Sequence, residues 1–105
     1  MGLFGLFDSG TVPQIDAELL KMRLKKEKLF LLDVREVFEH KSQNIPGSTL
    51  IPLGELQRRL DELEKHRTKE IVVYCRSGNR SMSACKFLQK QGFNAVNLSG
   101  GILRW

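Results

Sequence analysis

Apolar residues arrive along the chain in short bursts separated by charged stretches, and the bursts switch between two periodicities. Ile15, Leu19 and Met22 recur at helical spacing behind Asp16, a residue suited to an N-cap. Ile15 and Leu20 stand where a hydrophobic staple would clasp the helix start, so a helix is predicted over residues 16–26. Residues 29–34 are almost wholly apolar, the pattern of a strand covered on both faces. A short helical piece around Val37 and Phe38 follows, ended by the turn Asn44-Ile45-Pro46-Gly47. Residues 48–51 read as a second short strand closed by Pro52, and Leu56, Leu60 and Leu63 mark one stripe of a further helix. Residues 71–74 form a β-branched strand. Residues 79–91 carry Ala84, Cys85, Phe87 and Leu88 at helical spacing, with Gly92 suited to the C-terminal cap. A last strand spans residues 95–98, before Gly100-Gly101. Strand and helix alternate throughout, which predicts an α/β fold: a mostly parallel sheet with helices on both faces.

Composition narrows the class without naming a task. The 105 residues suit one domain, and 41% apolar with 28% charged residues is the balance of a folded globular chain. The net charge is +5, and Lys21, Arg23, Lys25, Lys26 and Lys28 make a dense basic stretch. No aromatic residues interleave with it, so it reads as a solvated helix face and not as a nucleic-acid groove. No apolar run approaches the ~20 residues of a membrane span. Residues 1–10 are apolar but lack a secretory signal's basic start, and Leu6 stands where myristoylation wants Ser or Thr. Leu3, Phe4, Leu6 and Phe7 are expected to pack on the domain or stay disordered; docking onto a partner or a membrane surface is the lesser reading. Two cysteines exclude a disulfide scaffold and point to a reducing, cytoplasmic compartment.

Candidate chemistry concentrates in Cys75-Arg76-Ser77-Gly78-Asn79-Arg80-Ser81, between the strand ending at Tyr74 and the helix beginning near Asn79. Ligands of open α/β sheets bind beyond the carboxyl ends of strands, where this loop would lie. Successive backbone N–H groups and a helix N-terminus form an anion cradle, and Gly78 allows the tight turn. Arg76 and Arg80 add two positive charges, so a thiol at Cys75 would ionise readily and act as a nucleophile. The bland alternative, a small buried residue at a strand end, is weaker with two arginines and a glycine so close. Phosphatase loops place five residues between cysteine and arginine. Here only four separate Cys75 from Arg80, and Ser81 fills the phosphatase arginine's place. The loop suits something smaller than phosphate, such as a sulfur atom.

Four segments then resemble a rhodanese domain in order and spacing: Leu32-Asp33-Val34-Arg35-Glu36, Ile45-Pro46-Gly47-Ser48, Val73 through Ser81, and Gly100-Gly101-Ile102. The likeness covers about residues 11–105 and is to the single-domain sulfurtransferases. It implies a five-stranded, mainly parallel sheet flanked by helices, with Cys75 carrying a persulfide. Where the family often has Gly-His before Ile-Pro-Gly, this chain has Gln43-Asn44. Relatives also tend to continue past the equivalent of Trp105, so an artificial boundary or a domain cut from a longer chain is expected.

The remaining candidates are weighed against that reading. Cys85 lies on the order of 10 Å along the helix, beyond disulfide reach, and reads as a core residue. His40 and His66 have no ligand spacing to either cysteine, so no zinc is expected and no metal or organic cofactor is called for. Arg80 either faces an anionic donor or turns to pair with Asp33 or Glu39 and brace the loop. Asp33 reads as a structural acceptor and Arg76 as the substrate contact, while Ser77 and Asn79 supply backbone N–H groups and Ser81 supports the loop. The expected activity is transfer of sulfur from a small anionic donor such as thiosulfate to a thiol, a protein or cyanide, by a monomer or weak dimer. A relay module fed by a protein donor is the alternative, ahead of a non-catalytic anion-binding domain or a phosphatase.

Overall fold

Phe30–Asp33 (β2) and Glu70–Tyr74 (β4) lie side by side at the centre of the computed structural model, which describes residues 11–105. Expectations placed on residues 1–10 therefore fall outside the described residues. Gln14–Ile15 (β1), Thr49–Leu50 (β3) and Asn94–Leu98 (β5) complete one sheet in the order β1-β5-β4-β2-β3. Every pairing in it is parallel. Asp33 pairs with Tyr74 and Val73 with Asn97, so β2, β4 and β5 bring their carboxyl ends to one edge.

The strand pleat sorts the core into two layers. Ile71 and Val73 face one side with Leu32, Ala95 and Phe93, under Ala84, Cys85 and Leu88 of the helix Asn79–Lys90 (α3). Leu56 and Leu63 join that layer. Val72 and Tyr74 face the other side with Leu31, Val96 and Leu98, under Leu20 of the helix Ala17–Leu24 (α1) and Ile102 of the 3-10 turn Gly101–Arg104. A short helix, Val37–Ser42 (α2), buries none of its residues and stands at the rim. With helices on both faces, β4 is buried from Ile71 onward, which is why that run is continuously apolar. Among the described residues, no helix is long and apolar enough to cross a membrane.

Three expectations are corrected. Ile15 belongs to β1, a two-residue edge strand held to β5 by Asn97 N–H on the Pro13 carbonyl and Ser99 N–H on the Ile15 carbonyl, both 2.9 Å. Counting helical periodicity from Ile15 therefore chose the wrong stripe. Asp16 does cap α1, accepting from the Leu19 N–H at 2.8 Å, and Ile15 packs in one cluster with Leu20. However, Ala17 and Leu20 turn inward, while Leu19 is 49% and Met22 59% exposed. The helix also ends at Leu24 and not at 26. The stripe Leu56, Leu60 and Leu63 does not lie on one α-helix: Leu56 caps the end of the 3-10 segment Leu53–Glu55, and Leu60 and Leu63 lie in a second, Leu60–His66. Leu53 with Leu56 and Leu60 with Leu63, each three apart, suit three residues per turn. Ion pairs at the same spacing, Arg58 with Glu55, Arg59 with Glu62 and Arg67 with Glu64, line the outer surface.

The corrected face of α1 is testable. Leu20→Ala is expected to destabilise the domain by about 2–5 kcal/mol, whereas Leu19→Ala stays within about 0.5 kcal/mol. Urea midpoints at unchanged m-value measure both.

Candidate active site

The chain leaves β4 at Tyr74 and enters α3 at Asn79, so Cys75 to Gly78 form the turn at the carboxyl end of the central strand. Gly78 caps α3 at φ 109°, a left-handed conformation that side chains resist. That turn folds the backbone over the sulfur. Cys75 Sγ accepts from the Gly78 N–H at 3.1 Å and the Ser81 N–H at 3.4 Å, and the Ser81 hydroxyl, able to donate to it, lies 3.4 Å away. Cys75 is only 1% exposed. Burial pushes its thiol up, but the donors of Ser81, Gly78 and Ser77 outweigh it, and the thiol titrates below its ordinary value.

The loop is clamped from outside by the segment after β5. Ile102 N–H donates to the Cys75 carbonyl at 2.9 Å and Leu103 N–H to the Arg76 carbonyl at 3.1 Å. These bonds bring the backbones so close that a Cβ on Gly101 would lie 2.3 Å from the Arg76 carbonyl oxygen, with φ at +61°. Only glycine fits at position 101. Arg76, Ser77 and Asn79 are exposed, and among the described residues the Arg76 guanidinium makes no ion pair.

Arg80 takes one of the two roles open to it. Its guanidinium grips Glu39 of α2 with both ends, at 2.7 and 2.9 Å. The pair, joined by the Glu36 N–H on the same carboxylate, holds Glu39 down at about 2. Asp33 does not meet Arg80. It is fully buried, and its carboxylate accepts from the Arg35 backbone N–H at 3.0 Å, the Arg35 guanidinium at 2.9 and 2.7 Å, and approaches His40 Nδ1 at 2.9 Å. Burial pushes the Asp33 carboxyl up, yet these partners win and it stays below its usual range. Asp33 thus braces the end of β2 beside the loop instead of the loop itself.

Two functional positions escaped the sequence reading. Arg35, 4% exposed, also donates to the Gln43 carbonyl at 2.6 Å and lies over the Tyr74 ring. The signal was Asp33 itself: a buried carboxylate at a strand end needs a cation, and a residue two positions on lies on the same side of an extended chain. Asn97, 1% exposed in β5, meets the Ser81 hydroxyl at 2.5 Å. Its signal was an amide set between the apolar Val96 and Leu98. Cys85 is fully buried, its thiol pushed up to about 12 by burial and by Cys75, so it stays neutral.

A parallel α/β sheet presenting a buried, anion-favouring cysteine on a six-residue loop defines a cysteine-dependent group-transfer class. A family model described as the rhodanese-like domain matches residues 16–105. The chain is 41% identical over 96 residues to a sulfurtransferase of Allochromatium vinosum, covering 90% of this chain and 88% of that one. Among solved structures, a rhodanese-related protein from Thermoplasma volcanium is 40% identical with a TM-score of 0.80, covering 89% of each chain. An NAD-dependent persulfide reductase from A. fulgidus is 36% identical with a TM-score of 0.72, covering 90% of this chain and 16% of that one. The chain belongs to the rhodanese-like domain family, on the sulfurtransferase and sulfur-carrier side of it.

The Gly101 clamp carries a direct expectation. Gly101→Ala should cost about 2 kcal/mol or more, on the order of 10 °C in Tm, from a strained φ and a backbone collision. Thermal unfolding followed by circular dichroism reads it.

Proposed function

We propose that the domain is a sulfurtransferase that takes the outer sulfur of a small anionic donor such as thiosulfate onto Cys75. The observation that carries this is a cysteine sulfur facing two backbone N–H groups and a hydroxyl at the start of α3. Such donors favour the thiolate. In the first half-reaction the thiolate attacks the outer sulfur of thiosulfate. A bond forms to Sγ, the sulfur–sulfur bond of the donor breaks, and its electron pair leaves with sulfite. The new outer sulfur carries the negative charge, and the backbone N–H groups of residues 76–80 and the exposed Arg76 hold it. In the second half-reaction a thiol, or cyanide in an assay, attacks that outer sulfur, and the electron pair returns to Cys75. Both steps balance without an added oxidant or reductant. A reducing, cytoplasmic setting keeps Cys75 free for this chemistry.

A second reading follows from Arg80. With the Arg80 charge engaged by Glu39, Arg76 is the loop's one arginine outside an ion pair. A small dianion such as thiosulfate then finds less compensation than the sequence promised. A protein persulfide, which brings its own binding surface, depends less on that charge. The match to one module of a larger persulfide-handling enzyme agrees with such a relay. Steady-state kinetics with small-molecule and protein persulfide donors separates the two readings.

Intact-mass spectrometry after incubation with thiosulfate is expected to add one sulfur atom to the wild-type chain and none to Cys75→Ser. An unchanged wild-type mass with thiosulfate and with protein persulfides alike would refute sulfur transfer.

A further inference from the structure

Ser81 has one hydroxyl proton and two neighbours competing for it. Asn97 Oδ1 lies 2.5 Å from Ser81 Oγ and Cys75 Sγ 3.4 Å from it. The orientation of the Asn97 amide is fixed by its other end. Nδ2 donates to the Gly78 carbonyl at 3.4 Å and to Gln14 Oε1 at 3.2 Å. A backbone carbonyl can only accept, so a flipped amide would set two oxygens against each other. Ser81 is 0% and Asn97 1% exposed, so solvent does not stand in for either partner.

We propose that Asn97 is a positioning residue that withholds the Ser81 proton from Cys75 and releases it only when the sulfur is anionic. The idea rests on Cys75 being the reacting sulfur. In the thiol, Ser81 donates to Asn97 and offers Sγ a lone pair. In the thiolate, the hydroxyl turns to Sγ and leaves the buried Oδ1 without its donor. In the persulfide, negative charge moves to the outer sulfur and the hydroxyl returns to Asn97. No covalent bond changes; one hydrogen bond alternates between two acceptors. Asn97 therefore holds the Cys75 thiol higher than the backbone donors and an uncontested Ser81 hydroxyl would set it. A thiolate of higher pKa is also the stronger nucleophile once formed.

The test is the pH profile of Cys75 alkylation by iodoacetamide, with the site confirmed by peptide mass, in wild type, Asn97→Leu, Ser81→Ala and the double variant. Asn97→Leu is expected to move the profile's midpoint downward, raising the thiolate fraction below that midpoint about tenfold. The gain should vanish in the Ser81→Ala background, because the hydroxyl carries the effect, while the lost Nδ2 bond to the Gly78 carbonyl is common to both backgrounds. An unmoved or raised midpoint, or an equal gain without Ser81, would overturn the proposal. If Asn97→Leu does not fold, the wild-type chain still decides. Its Asn97 side-chain carbonyl carbon resonance should titrate with Cys75 and stop doing so in Ser81→Ala; a resonance fixed throughout in wild type contradicts the idea. No sulfur donor enters these measurements, so failure of persulfide formation leaves their outcome readable.

Discussion

A cysteine sulfur almost wholly removed from water is the constraint around which this domain is arranged. Burial at 1% exposure works against a thiolate, and the opposing groups are the Ser81 hydroxyl and the main-chain N–H donors at the start of α3, brought round by Gly78. Main-chain donors act only if the loop keeps its shape, because a drift of half an ångström at 3.4 Å removes a hydrogen bond. Much of the surrounding structure serves that requirement. β4 fixes one end of the loop, α3 the other, and the residues after β5 pin the Cys75 and Arg76 carbonyls through a backbone contact that Gly101 alone permits.

Charge plays a supporting part that differs from its appearance in the sequence. The arginines near the site are mostly committed to carboxylates. Arg80 ties the loop to α2 through Glu39, and Arg35 neutralises Asp33 beneath the rim. These pairs set the frame for the sulfur and leave Arg76 facing outward. The basic stretch at Lys25, Lys26 and Lys28 is exposed beyond the end of α1, and no part of the site draws on it.

Much of this was legible in the sequence, for identifiable reasons. Continuous apolar runs marked β2 and β4 because helices cover both faces, and the loop announced itself through Cys75, Gly78 and Arg80 within six residues. Strand β1 stayed hidden because two residues carry no period, and its Ile15 was absorbed into the helix pattern that follows. The 3-10 segments were read as one α-helix because a leucine stripe does not by itself distinguish three residues per turn from 3.6. Asn97 and Arg35 were missed for a different reason. Their importance depends on what lies across the sheet or two positions along a buried strand end, and a linear motif records neither.

The central claim is that the Ser81 hydroxyl and the loop's main-chain donors together outweigh burial at Cys75, and an ultraviolet titration of its thiolate tests this most directly. The wild-type absorbance change minus that of Cys75→Ser isolates the one sulfur, since Cys85 stays neutral until about 12. The expected midpoint lies clearly below the ~8.5 of a free cysteine. A midpoint at or above that value would mean that burial wins, and the account of this loop as a thiolate cradle would be wrong.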